Sequence, residues 1–79
     1  MNWRERIVSD AHTLHGKVRV KDTRIPVSVV LDNLAVGLSH AEILASYPSL
    51  TEEDIRACLA YAADLANERL VDLRTGTSG

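Results

Sequence analysis

The sequence predicts a mainly α domain with a small N-terminal β element, its helices arranged in helix-turn-helix topology. Two helix-start signals carry most of that reading, Ser39-x-x-Glu42 and Thr51-x-x-Asp54. In each, the hydroxyl residue accepts from a first-turn N–H while the carboxylate three positions on reaches back to the cap's own N–H. Leucine precedes each cap and isoleucine follows at the fourth helical position, Leu38 with Ile43 and Leu50 with Ile55, which adds a hydrophobic staple to each capping box. The third observation is punctuation, because Gly37 and Tyr47-Pro48 stop one helix just before each new start.

Taken in order, Ile7-Val8 and Val18-Arg19-Val20-Lys21 cluster or alternate apolar residues over short runs, with Leu14-His15-Gly16-Lys17 as a turn between them. A small hairpin is expected within residues 5–22. Pro26 suits a first helical turn, and Val27, Val30, Leu31, Leu34 and Ala35 recur at helical spacing, so a helix is predicted over 26–36. The second should occupy 40–46. The third begins at Glu52, where Ile55, Leu59, Ala62, Leu65 and Ala66 trace its apolar stripe. It is predicted to run to about Leu70, a length of about 28 Å. Residues 74–79 have nothing apolar to bury and read as a mobile tail after a single domain spanning 1–73.

The chain has 79 residues, 46% apolar, with no Phe, one Trp and two Tyr, so its core must be built from Leu, Ile, Val and Ala. A chain of this size buries roughly 60–65% of its unfolded surface and should be only modestly stable alone. No run approaches the ~20 apolar residues of a membrane span, and the Met1–Arg6 start lacks a signal-peptide core. A soluble, cytoplasmic protein is expected. The lone Cys58 sits inside the third predicted helix and reads as a small core residue.

Charge divides along the chain. Residues 1–25 hold six cations against three carboxylates, a net of +3, whereas residues 26–79 hold three against eight, a net of −5. Such a dipolar distribution suits nucleic acid at one end, head-to-tail self-association, or an acidic helical surface facing a basic partner. A recognition helix presents its first turn to phosphates, but Glu52, Glu53 and Asp54 would be repelled there. Nucleic-acid contact is therefore expected from Lys17, Arg19, Lys21 and Arg24 on the strand segment, and partner contact from Glu52, Glu53 and Asp54.

Enzymatic chemistry finds little support. His12, His15 and His40 have no metalloprotease spacing, His12 and His15 beside Asp10 lack further ligands, and no Gly-rich phosphate loop occurs. A non-enzyme without cofactor or metal is expected. Trp3 and Tyr61 read as either core or interface anchors. The small residues Ala57, Ala60, Ala63 and Ala66 suit close helix packing, and a homodimer is the simplest self-association.

Arg6-Ile7-Val8-Ser9-Asp10, Thr23-Arg24-Ile25-Pro26-Val27, Gly37-Leu38-Ser39-x-x-Glu42-Ile43-Leu44, Tyr47-Pro48-x-Leu50-Thr51-x-Glu53-Asp54-Ile55 and Ala60-Tyr61-Ala62 together resemble the bacterial domain of unknown function 433 family. The resemblance spans roughly residues 3–68. It implies a homeodomain-like three-helix unit with an N-terminal β element, acting as the antitoxin of a type II toxin-antitoxin pair. It also implies a PIN-like nuclease toxin as partner and operator DNA for autoregulation. A DNA-binding regulator working through the basic segment is the alternative. Where the family reads Gly-Lys-Pro-x-Ile-x-Gly-Thr-Arg, this chain has Val18 for the proline and Asp22 for the second glycine. Asp22 is expected to keep the turn, because Asp tolerates the left-handed region better than most residues.

Overall fold

The computed structural model describes residues 2–9 and 17–77, with side chains through Asn67. The expected turn at Leu14–Lys17 and the His12, His15 and Asp10 group lie wholly or mostly outside the described residues. A short 3-10 helix, Trp3–Glu5, leads into strand β1, Ile7–Ser9, which pairs antiparallel with β2, Val18–Val20. Three helices follow: α1, Val27–Ala35; α2, His40–Ser46; and α3, Glu52–Thr77. The chain is thus mainly helical with a two-stranded antiparallel sheet at its N-terminal side.

Both helix starts close as the sequence predicts. Ser39 N–H donates to Glu42 Oε1 at 2.8 Å and Glu42 N–H to Ser39 Oγ at 3.1 Å. The Thr51 pair repeats this at 2.9 and 3.2 Å. The exposed Glu42 carboxyl is held below its ordinary range, first by the Ser39 N–H and then by its hydroxyl.

The end of α1 is equally local. Gly37 takes φ 97°, Gly37 N–H reaches Leu34 C=O at 3.0 Å, and Leu38 N–H reaches Asn33 C=O at 3.1 Å. That pair of bonds is a Schellman motif. Nothing lies within 4 Å of where a Cβ would stand at Gly37, so the backbone angle rather than space requires glycine.

Ile7, Val20, Val27, Val30, Ile43, Leu50, Ile55, Ala57 and Cys58 form the aliphatic core, to which all three α-helices and both strands contribute. The α3 stripe needs a correction. Ala57 and Cys58 are buried beside Ile55, whereas Leu59 and Leu65 are 40% and 44% exposed. Small side chains let α3 approach closely at Ala57 and Cys58, and the core reaches only the first turns of the helix. The helix also passes the expected end at Leu70 and continues to Thr77. No proline interrupts its ladder, so the expected tail at 74–77 is helical; Ser78 and Gly79 lie outside the described residues.

Asp22 adopts φ 64°, the left-handed conformation its position demands. Thr23 N–H donates to Val20 C=O at 3.1 Å across it, and Val20 N–H to Ile25 C=O at 2.9 Å. Replacing Asp22 with Asn is expected to leave the urea midpoint nearly unchanged, whereas Asp22→Val should cost about 1–2 kcal/mol, because a β-branched residue is strained there. Equal tolerance of both would mean that the turn relaxes instead of holding its angle.

Candidate functional site

Strand β2 ends at Val20, and the chain turns through Lys21–Arg24 before meeting α1. Arg19 and Pro26 bridge across this turn, so the start of α1 lies beside the strand. Between them is an open cleft of about 640 Å³ whose lining includes Lys17, Arg19 and Arg24. Arg19 Nη1 donates to Thr23 C=O at 3.0 Å, which fixes the guanidinium against the turn. Thr23 Oγ1 is committed internally, donating to Val20 C=O at 2.8 Å and accepting from Ile25 N–H at 3.0 Å. Arg24 is exposed and makes no hydrogen bond or ion pair among the described residues.

Of the four cations assigned to nucleic acid by sequence, the cleft gathers three. Lys21 lines a separate hollow of about 260 Å³ with Glu5, Arg6, Asp22 and Asp54. Arg19 and Lys21 are two apart and would share a strand face, but the strand stops between them.

The acidic start of α3 is engaged within the chain. Asp54 is 7% exposed and binds Thr51 N–H on one side and Arg6 Nη1 at 3.1 Å on the other. Arg6 Nη2 also pairs with Glu53 Oε1 at 3.4 Å, while Glu52 Oε2 meets His40 Nδ1 at 2.6 Å and Arg56 Nε at 3.6 Å. Glu53 presents the most accessible carboxylate of the three, with its side chain 63% exposed and Asp54 at 10%. The sequence pattern named Asp54 correctly as the capping-box acid and placed all three in the first turn, but held no sign of Arg6, which arrives from the N-terminal end of the chain.

Trp3 and Tyr61 meet edge to face with ring centroids 5.1 Å apart, and Trp3 Nε1–H donates to Asp64 Oδ2 at 2.6 Å. Arg4 stacks over the Trp3 ring at 4.5 Å. These aromatics pin the N-terminal turn to α3. Burial and the nearby Asp54 charge push the Cys58 thiol up to about 11, so it stays protonated and unreactive at neutral pH. Among the described residues no group of three His, Cys, Asp or Glu is placed to hold a metal ion, and no helix is long and apolar enough to cross a membrane.

Residues 7–62 match the family described as "Protein of unknown function (DUF433)", from β1 through the early turns of α3. The chain belongs to the DUF433 family. The crystal structure of a DUF433 member protein from Anabaena variabilis ATCC 29413 is similar over 91% of this chain and 69% of that one, with a TM-score of 0.68 and 30% identity. A second relative is the uncharacterized protein y4eO of Sinorhizobium fredii (strain NBRC 101917 / NGR234), 39% identical over 59 residues. The aligned stretch is 75% of this chain but 27% of y4eO, so this DUF433 chain corresponds to about a quarter of that protein's length.

Proposed function

We propose that this DUF433 chain is a non-enzymatic, cytoplasmic binding module, the antitoxin of a type II pair that neutralises a PIN-like nuclease toxin. In this reading the three helices are a homeodomain-like helix-turn-helix unit that serves as a scaffold rather than a groove reader. The observation that carries the proposal is the separation of charge into two surfaces, the acidic edge at the start of α3 and the basic cleft beside β2. Glu52 and Glu53 are the proposed contacts to the basic RNA path of the toxin. Asp54 serves that edge from within, holding the helix start in place. A homodimer belongs to the same reading, with the exposed Leu59 and Leu65 of α3 available for it.

The test is co-expression with the product of the neighbouring gene, followed by pull-down and a growth assay. Wild-type chain should co-purify and restore growth, and Glu53→Lys should weaken capture about tenfold, a loss of about 1.4 kcal/mol. Undiminished capture by that variant would remove the acidic edge from the interface, and neither capture nor rescue would end the antitoxin reading.

A second reading is favoured by the basic cleft itself. A DNA-binding regulator, or operon autoregulation by the antitoxin, would use Lys17, Arg19 and Arg24, with Lys21 contributing from outside the cleft.

A further inference from the structure

We infer that the cleft between β2 and the start of α1 seats the phosphate backbone of a nucleic acid and holds it without reading sequence. The inference rests on the second reading above and adds the site, the ligand chemistry and the mode of recognition.

Arg19 and Arg24 line the cleft together with Lys17, and Asp22 is the carboxylate among the described lining residues. The bond from Arg19 to Thr23 C=O uses one of five guanidinium donors and orients the rest, so part of the ordering cost of binding is met before the ligand arrives. Arg24 stands beside it with its fork uncommitted, the geometry that suits paired phosphate oxygens. Pro26, also on the cleft wall, is the N-cap of α1, which starts with no side-chain cap and no acidic residue in its first turn. The positive end of the helix dipole is therefore not compensated within α1's own first turn, and it adds to the same local field.

The remaining wall argues for backbone rather than base recognition. Val18 and Pro26 supply apolar surface, but among the described lining residues there is no aromatic side chain to stack a base. Phosphate contacts of this kind set position and carry no sequence information.

The experiment is fluorescence anisotropy with the full chain on two 20-base-pair DNA duplexes of unrelated sequence and a single-stranded RNA, from 50 to 200 mM salt. If the two cleft arginines neutralise two duplex phosphates, log K should fall with log salt at a slope of about −1.8, or roughly 12-fold across that range. Arg24→Ala should weaken binding about three- to tenfold on both duplexes alike and make the slope shallower by about 0.9, with Arg24→Lys recovering most of the slope. Arg56→Ala removes the same charge from α3 and should change neither quantity; circular dichroism confirms that each variant folds. Equal losses from Arg24→Ala and Arg56→Ala would reduce the effect to diffuse charge and overturn the inference. Wild-type binding that survives Arg24→Glu would overturn the cleft while leaving the DNA-regulator reading intact. No nucleic-acid binding, with capture of the toxin lost in Arg24→Glu, would reassign the cleft to protein and sink both.

Discussion

Asp54→Ala is expected to lower the stability of the chain by about 3 kcal/mol, because it removes a buried carboxylate that Thr51 and Arg6 share. Two losses combine. The Thr51 N–H loses the acceptor that completes its capping box, worth about 1 kcal/mol on its own. Arg6 loses the better of its two carboxylates, at 3.1 Å against 3.4 Å for Glu53, and its guanidinium remains part-buried with an incomplete set of acceptors. Full burial of such a pair would imply 3–5 kcal/mol, but Arg6 is 35% exposed and water compensates some of its charge. For a domain of this size the shift corresponds to a drop in Tm of about 15–20 °C. Thermal unfolding followed by circular dichroism reads it directly. Asp54→Asn retains an acceptor for Thr51 while removing the charge, so it should lose about half as much. A melting curve for Asp54→Ala within 3 °C of wild type would show that the Arg6 link contributes little and that Glu53 replaces it.

Ile55→Ala should cost a similar 3–4 kcal/mol for a different reason. Ile55 is fully buried, stands one residue after Asp54, and shares the core with Leu50 just before the Thr51 cap. Truncation removes three carbon groups from contact and leaves a cavity among Val20, Val27, Val30 and Ile43, whose backbones are held by the sheet and the helix ladders. Ile55→Val, which removes one methylene, should cost about 1 kcal/mol. The ratio of the two losses is informative, because a core able to collapse would bring Ile55→Ala down toward 2 kcal/mol. Equilibrium urea unfolding with an unchanged m-value provides the comparison. A smaller loss for Ile55→Ala than for Ile55→Val would contradict the packing described above.

The two substitutions touch adjacent residues, yet they separate what each part of the α3 start does. Asp54 connects it to the N-terminal segment through charge, and Ile55 connects it to the core shared with α1 and α2 through packing. If Glu53 is a toxin contact, both act on function only by keeping that edge in place. Either variant should therefore lose toxin capture in proportion to its unfolded fraction, whereas Glu53→Lys should lose it while folded.

How much could be read before the structure follows the range of each interaction. The Ser39 and Thr51 capping boxes, the Schellman end at Gly37 and the left-handed Asp22 all join residues within a few positions of one another, so residue type and spacing specify them. The aliphatic core and the burial of Cys58 were legible as well, since a chain without Phe has few other ways to fill an interior. The phase of α3 was not. Its Ala-rich sequence permits more than one apolar face, and only the docking of α1 and α2 selects Ala57 and Cys58 over Leu59 and Leu65.

By itself, then, the sequence determined the element order, the helix starts, the α1 stop and the split between a basic N-terminal segment and an acidic helical one. Tertiary structure decided which of those charges remain available. Arg6 reaches Asp54 across 48 positions and Trp3 reaches Asp64 across 61, and no local pattern encodes contacts at that separation. Docking likewise set Lys21 beside Glu5, Arg6 and Asp54, while Arg19 and Arg24 line the cleft with Pro26. A capping hydrogen bond is set by backbone geometry over one helical turn, whereas an ion pair or a cleft depends on where distant elements dock, and docking follows from burying the whole core at once.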